Sequence, residues 1–161
     1  MNKIIAISLL TASCITPAVA AEHRGNVGIN ISLDTALGVQ GEVNLDKSVS
    51  LQVFLKQYSR SYYYGNSFGY YSYSYTAIGA AGIYDFSKNI TLPDKKIHPY
   101  AGLGLYTVSA SFNGAGGPVS SPVTGGIYLT FGARYELTPE IDLDGSYNNF
   151  GGLTIGANYK F

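Results

Sequence analysis

The segment GIYLTFGARYELTPEIDLDGSYNNFGGLTIGANYKF, residues 126–161, carries the clearest structural pattern in the chain. Apolar residues occupy every second position in three successive runs, and mostly polar residues and glycines fill the positions between them. The apolar positions are Ile127, Leu129, Phe131, Ala133 and Tyr135, then Ile141, Leu143 and Tyr147, then Leu153, Ile155, Ala157, Tyr159 and Phe161. A period of two predicts β-strands with one apolar face. The short turns at 137–140 and 148–151 predict antiparallel pairing of these strands.

The same alternation extends upstream to residue 27 and gives eight strands in all, with no helix predicted. The five earlier strands are joined by connections at 34–36, 46–48, 59–72 and 87–96, and the connection 112–123 leads into the segment quoted above. The fourth strand begins near Tyr75, and its side-chain phase is ambiguous. Polar residues occupy one parity at its start and aromatic residues occupy the same parity at its end, which predicts a β-bulge near residues 79–82.

The N-terminal segment has the pattern of a secretory signal peptide. Lys3 precedes an apolar run over residues 4–10, and Pro17 precedes the small-residue site at 18–20. We expect residues 1–20 to be removed after Ala20, with Ala21 as the next choice, and residues 21–161 to form a barrel domain. Because Cys14 lies in the signal segment, the mature chain would have no disulfide. A retained membrane helix is disfavoured, since no apolar run reaches about 18 residues.

The chain carries little charge. Asp, Glu, Lys and Arg make up 12% of the residues, and the formal net charge is zero. Nucleic-acid binding needs a basic face, so this composition argues against a nucleic-acid partner.

Alternation alone does not say which solvent the apolar face meets, because a soluble barrel turns it inward and a membrane barrel turns it outward. The other face consists mainly of Gly, Ser, Thr, Asn and Gln, which suits a packed polar lumen. Aromatic residues cluster at strand ends as two lipid-interface girdles would. One predicted girdle contains Tyr58, Tyr73, Tyr75, Phe112 and Tyr147; the other contains Tyr84, Phe86, Tyr100, Tyr135, Tyr159 and Phe161.

The lengths of the connections also favour a membrane barrel, since the two longest, 59–72 and 112–123, fall at the same end of the predicted barrel. In lipid a sheet must close on itself to pair every backbone group. The predicted fold is therefore all-β, an eight-stranded antiparallel up-and-down transmembrane β-barrel. A soluble, lipocalin-like periplasmic carrier is the alternative that retains the inward apolar face.

Two segments resemble a known family. LTIGANYKF at 153–161 is similar to the terminal strand of bacterial outer-membrane barrels, and PYAGLGLY at 99–106 is similar to small opacity-like, porin-family barrels. The resemblance implies residence in the outer membrane of a Gram-negative bacterium after export, with membrane lipid as a partner. It also implies that Tyr159 and Phe161 are recognised by the barrel-assembly machinery, and that the role is structural or one of surface interaction.

Eight strands enclose a space that side chains fill, so no open pore is expected. Charged residues assigned to the lumen are expected to pair with one another, because charges removed from water need partners. They are Glu42, Lys56, Arg134, Glu136, Asp142, Asp144 and Lys160. The pair Asp142 and Asp144 lacks the further acidic ligands of a calcium loop, so no metal is expected.

No catalytic residue or cofactor is predicted. Lipid A deacylases of similar size use Ser, His and an acid near the outer rim, but the mature chain has only His23 and His98, and neither is placed beside an outer serine. A lipid-modifying enzyme or a narrow channel remains the second hypothesis.

The stretch YSRSYYYGNSFGYYSYSY, residues 58–75, contains the densest group of tyrosines. Its ends belong to strands, and its centre is predicted to be a surface loop. Five residues there are candidates for contact with an unidentified partner, and we call them the hairpin aromatics: Tyr62, Tyr63, Tyr64, Phe68 and Tyr70.

Overall fold

The computed structural model describes residues 25–33, 36–64, 69–114, 117–120 and 123–161. Side chains are described for the same residues except 61–71 and 114–122. The predicted signal segment, Cys14 and Phe68 lie outside the described residues. Within the described ranges, no helix has the length and apolar character needed to cross a bilayer.

Nine strands are present in the described residues, and eight of them form a closed wall. They are β1 (Gly25–Ser32), β2 (Leu37–Asn44), β3 (Val49–Tyr64), β4 (Gly69–Asp85), β5 (Ile97–Gly114), β6 (Gly117–Ser120), β7 (Thr124–Thr138), β8 (Ile141–Asn148) and β9 (Gly152–Lys160). The short β6 pairs only with the end of β5, and every other strand pairs antiparallel with its neighbours in the wall. Because β1 pairs with β9, the barrel closes. The predicted eight-stranded antiparallel barrel is confirmed.

The wall is apolar outside and polar inside. On β1, Ile29 is 64% exposed and the next residue, Asn30, is 4% exposed. On β8 the acidic and amide side chains are buried and the aliphatic ones are exposed, in strict alternation. A soluble carrier would require the opposite arrangement, whereas a lipid-facing wall requires this one.

The predicted β-bulge near residues 79–82 is wrong. The pairing of β4 with β3 runs without a shift from Gly69 to Tyr84, and its pairing with β5 is equally regular. The even-numbered residues of β4 from Ser72 to Tyr84 lie on the outward face. Their character changes because that face passes from water through lipid to the opposite interface, with no change of register.

The connections 59–72 and 112–123, predicted to be loops, are largely strand. β3 continues to Tyr64 and pairs with β4 as far as Gly69, so only residues 65–68 separate the two strands. β5 continues to Gly114 and pairs with β6. These long hairpins lie at the end of the barrel opposite Gly25 and Phe161. Long connections mark the extracellular end of membrane barrels, so Gly25 and Phe161 lie at the periplasmic end.

Candidate functional site

One half of the lumen is held by ion pairs centred on Arg134. This β7 residue donates from Nη1 to Oε1 of Glu42 at 3.0 Å and from Nη2 to Oε2 of the same carboxylate. Its Nε lies 3.5 Å from Oδ2 of Asp144, and its guanidinium lies 4.6 Å from the ring centroid of Tyr100. The two-pronged pair joins β2 to β7 across the barrel interior. Such a pair has a fixed geometry as well as a Coulomb attraction.

Each acid of this cluster has further donors. Ser50 Oγ donates to Glu42, and the phenol of Tyr100 donates to Asp144 at 2.8 Å. Asn158 also donates to Asp144, at 3.4 Å. A buried carboxylate is costly unless its acceptor sites are filled, and these donors fill them.

A second ion-pair cluster lies at the periplasmic end. Lys160 Nζ is 2.9 Å from Asp142 Oδ1 and 3.2 Å from Glu136 Oε2. Towards the extracellular end, Lys56 Nζ donates to Ser32 Oγ at 3.0 Å and to Thr154 Oγ1 at 3.3 Å. The structure thus places all seven charged residues assigned from the sequence on the inward face.

Between these clusters, amide side chains connect four consecutive strands of the wall, β2, β1, β9 and β8. Asn30 donates to Gln40 at 2.9 Å, and Gln40 donates to Asn158 at 2.9 Å. With the bond from Asn158 to Asp144, the chain runs from β1 and β2 to β8. This half of the barrel is therefore crosslinked by side chains as well as by the backbone ladder.

The other half of the lumen is filled by rings, which the sequence analysis missed. Phe54 lies 4.5 Å from Tyr128 between ring centroids, and Phe150 lies 4.7 Å from Tyr106. Glycines on the facing strands leave room for these rings. A Cβ at Gly79 would lie 2.7 Å from Phe54 Cε1, and a Cβ at Gly126 would lie 2.9 Å from the Tyr106 ring. Rings thus pack into space that larger residues would occupy.

Several aromatics assigned to the girdles face inward instead. Tyr100 is buried in the lumen, and Tyr58 stacks on Tyr75 with centroids 5.2 Å apart on the inward side of β3 and β4. Tyr73 and Phe112, which pair with each other, share this inward parity. The girdle assignment was wrong for these residues because it used their position along the strand and ignored their parity. Of the aromatics assigned to the girdles, those that face outward are Tyr84, Phe86, Tyr135, Tyr159 and Phe161 at the periplasmic end and Tyr147 at the other.

The outward face changes character above the lipid band. Leu55, Ile78 and Leu105 are its last aliphatic residues on β3, β4 and β5. The next outward residues on these strands are hydroxyl or amide residues: Gln57, Ser59, Ser72, Ser74, Thr76, Thr107, Ser109 and Ser111. Ser74 and Ser111 hydrogen-bond to each other through their hydroxyls at 2.7 Å. We call the region of β3–β5 beyond Leu55, Ile78 and Leu105 the extracellular platform.

The hairpin aromatics belong to this platform. Tyr62, Tyr63 and Tyr64 continue β3, and Tyr70 lies on β4, where it pairs with Tyr63. Phe68 lies outside the described residues. From Gln57 to Tyr64 the strand advances seven residues, or about 23 Å along its length. The backbone therefore carries these positions well beyond the lipid band.

A small polar group lies at the periplasmic rim, at the ends of β4 and β5. His98 Nδ1 is 3.5 Å from Asp85 Oδ2, and the two side chains are 33% and 32% exposed.

The rim group does not have the order of a catalytic triad. Ser87 donates its backbone N–H to Asp85 at 2.7 Å and its side chain also hydrogen-bonds that carboxylate, so the serine and the histidine share one acid. A triad needs the serine hydroxyl on the histidine. Among the described residues, no group of three or more His, Cys, Asp or Glu is placed to hold a metal ion.

Comparisons with known proteins agree with this architecture. The family model described as "Outer membrane protein beta-barrel domain" matches residues 5–161. Neisserial surface protein A (NspA) is similar in structure, with a TM-score of 0.59 and 22% identity over 85% of this chain and 93% of that one. No curated protein matches the chain in sequence.

Two further barrels are similar at lower identity. The N-terminal β-barrel domain of Pseudomonas aeruginosa OprF has a TM-score of 0.58 and 16% identity over 87% of this chain and 100% of that one. Ail, the attachment invasion locus protein of Yersinia pestis, has a TM-score of 0.52 and 14% identity over 85% of this chain and 94% of that one. At these identities the likeness shows the fold.

Proposed function

Because the chain belongs to the outer membrane protein β-barrel domain family, we propose that it is a closed structural barrel of the Gram-negative outer membrane whose extracellular platform binds a partner outside the cell. The observation that carries this proposal is the change of the outward face from aliphatic to hydroxyl residues beyond Leu55, Ile78 and Leu105. Strands that end at the membrane surface would need no such face. Here the sheet itself, rather than a loop, extends into the external medium.

The residue types of the platform suit a contact surface. Residues 58–75 consist of Tyr, Ser, Gly, Asn and Phe with one Arg and no other type. Antibody paratopes favour Tyr, Ser, Gly and Asn because tyrosine offers a large amphipathic contact area with few rotatable bonds. The hairpin aromatics are therefore the residues that we propose contact the partner.

Charge limits the chemistry of that partner. Arg60 is the one charged residue in segment 57–84, and segment 105–133 has none. Ail has been crystallised with the heparin analogue sucrose octasulfate. A polyanion of that kind requires several cations, so we propose instead a protein partner whose contact surface carries little net charge.

We propose that the protein is neither an enzyme nor a solute channel. Ser87 is bound to Asp85 rather than poised on His98, which argues against a hydrolase. The packed rings of Phe54, Tyr128 and Tyr106 and the Arg134 ion pairs occupy the lumen, which argues against a channel. A changed lipid A mass in cells making the wild-type protein but not the His98→Ala variant would refute the first statement.

For assembly, we propose that Tyr159 and Phe161 are read by the barrel-assembly machinery. Both are exposed on the outward face, and the backbone of Phe161 exchanges two hydrogen bonds with Gly25. Deletion of Phe161 should lower the amount of folded protein in the outer membrane while leaving its folding in detergent intact. If the variant without Phe161 reached the same amount of folded protein in the outer membrane as the wild type, this proposal would be contradicted.

The surface role is tested by cells that display the protein. In one variant all five hairpin aromatics become serine; in the matched control Ser59, Ser72 and Ser74 become alanine. Heat-modifiable migration in gels establishes that each barrel is folded. The probe is an array of purified extracellular matrix proteins, together with cells that display a second copy of the chain.

We expect wild-type cells and control cells to bind at least one probe, and the aromatic variant to lose at least tenfold of that binding. This loss corresponds to about 1.4 kcal/mol, a modest value for the removal of aromatic contacts. Binding that survives replacement of all five aromatics, or no binding to any probe, would count against the proposed contact role.

A further inference from the structure

The connection between β4 and β5 forms a cleft of about 320 Å³ at the periplasmic end of the barrel. Part of its lining is apolar and comes from Ile90, Leu92 and Ile97. The remainder includes the hydroxyl residues Ser87 and Thr91 and the cation Lys95. A cleft that combines an aliphatic wall with hydroxyl donors and an ammonium group matches an amphiphile with an anionic head.

The position of the connection brings the cleft to the level of lipid headgroups. Tyr84 and Phe86 lie on the outward face with their rings 4.9 Å apart, where they mark the periplasmic interface of the lipid band. The phenol of Tyr84 donates to Asn89 Oδ1 at 3.0 Å, so the start of the connection rests against this lipid-facing wall. Ile90 follows directly and is 47% exposed.

The charges of the connection favour an anion. Residues 86–98 contain Lys88, Lys95 and Lys96 against the single acid Asp94. Asp94 Oδ1 accepts the backbone N–H of Lys96 at 2.9 Å, and Lys88 Nζ donates to the backbone carbonyl of Lys47 at 2.8 Å. Of the three lysines, Lys95 lines the cleft.

We propose that this cleft binds the phosphate headgroup of an anionic phospholipid from the periplasmic leaflet. Lys95 contacts the phosphate, the hydroxyl of Thr91 donates to one of its oxygens, and the aliphatic wall covers the adjoining part of an acyl chain. Lysine is a common phosphate ligand, and basic pockets beside a membrane bind anionic headgroups. The site lies at the opposite end of the barrel from the extracellular platform and does not depend on the function proposed for it.

Native mass spectrometry of the refolded full barrel tests the proposal. The probes are phosphatidylglycerol and phosphatidylcholine with identical acyl chains, each titrated in detergent. Lys95→Gln is the test variant, and Lys96→Gln is its matched control because it loses the same charge one residue away. Ile90→Asn weakens the apolar wall, and glycerophosphoglycerol and inorganic phosphate are offered as soluble competitors.

We expect one phosphatidylglycerol to bind in preference to phosphatidylcholine. Lys95→Gln should weaken it about fivefold, as expected for one lysine beside a headgroup, and Lys96→Gln less than twofold. Ile90→Asn should also weaken it, and the soluble competitors should not displace it. Equal losses in both lysine variants would indicate diffuse electrostatics and overturn the site. Displacement by either soluble phosphate, or equal binding of the two lipids, would overturn the assignment to a phospholipid.

Discussion

Arg134→Met removes the cation that two buried carboxylates share. Glu42 is 2% exposed and Asp144 is 6% exposed, so neither can recover its interaction by contacting water. Breaking a buried ion pair by removing one partner costs about 3–5 kcal/mol, because a charge is left without compensation. We expect the free energy of unfolding to fall by this amount, although Ser50 and Tyr100 still donate to the two acids.

Removing the charge of the acid Glu42, with the cation Arg134 retained, should lower the free energy of unfolding by less. Glu42→Gln leaves Arg134 beside Asp144 at 3.5 Å, and the glutamine side chain retains an acceptor oxygen. Loss of a charge-assisted hydrogen bond costs about 1.5–3 kcal/mol. In the double variant the loss of unfolding free energy should be smaller than the sum of the two single losses by about 1 kcal/mol or more. The effects of mutations within one ion-pair network are not additive.

Urea unfolding of the barrel in lipid vesicles measures these differences. The chain has no tryptophan, so far-ultraviolet circular dichroism and gel migration report the folded fraction. Two results would contradict a stabilising ion pair: an Arg134→Met variant whose free energy of unfolding is within about 1 kcal/mol of the wild type, or strict additivity in the double variant. Either would mean that the pair of Arg134 and Glu42 does not hold β2 and β7 together in the membrane.

Other predictions concern the ring-filled half of the lumen and the periplasmic rim. Gly79→Val should lower stability by about 1–3 kcal/mol, because its side chain overlaps the Phe54 ring; Gly145→Ala, where an added Cβ meets nothing within 4 Å, is the control and should leave the thermal midpoint in gels unchanged. Phe54→Ala should raise conductance in planar bilayers above that of the wild type, and an unchanged current would show that this ring does not block the lumen. His98→Gln removes the imidazole that lies 3.5 Å from Asp85 and should lower the thermal midpoint in gels, and an unchanged midpoint would contradict this.

In the last third of the chain the sequence was sufficient to predict the strands and their two faces. The alternation at 127–135 and 141–147 corresponds to β7 and β8, and the parity that places Arg134 and Asp144 inside could be read directly. The β-bulge was wrongly predicted on β4, where the outward face contacts lipid along part of the strand and water along the rest. The even-numbered residues of β4 change from Ser74 to Ile78 to Tyr84 along a regular strand, and this change was interpreted as a bulge.

The ring-filled half of the lumen needed the strand register. Phe54 and Tyr128 stand on the polar parity of their strands, a signal that was visible in the sequence. What accommodates Phe54 is Gly79, its partner across the β3–β4 ladder, and Gly79 in turn pairs with Tyr106 on β5. Such large-to-small complementarity between strands cannot be read from one strand alone. The periplasmic cleft likewise depends on how the connection folds back, which alternation does not describe.

Spin labelling along β4 can show whether one regular strand carries its outward face from lipid into water. Single cysteines from residue 72 to residue 86 are labelled in the refolded mature barrel, and collisions with oxygen, which partitions into lipid, and with a water-soluble nickel chelate are measured. We predict that even positions from Ile78 to Tyr84 collide with oxygen, that Ser72, Ser74 and Thr76 collide with the nickel chelate, and that odd positions in the lumen collide weakly with both. A switch of the oxygen signal to odd positions anywhere between 77 and 84 would contradict a regular strand whose outward face passes from lipid into water.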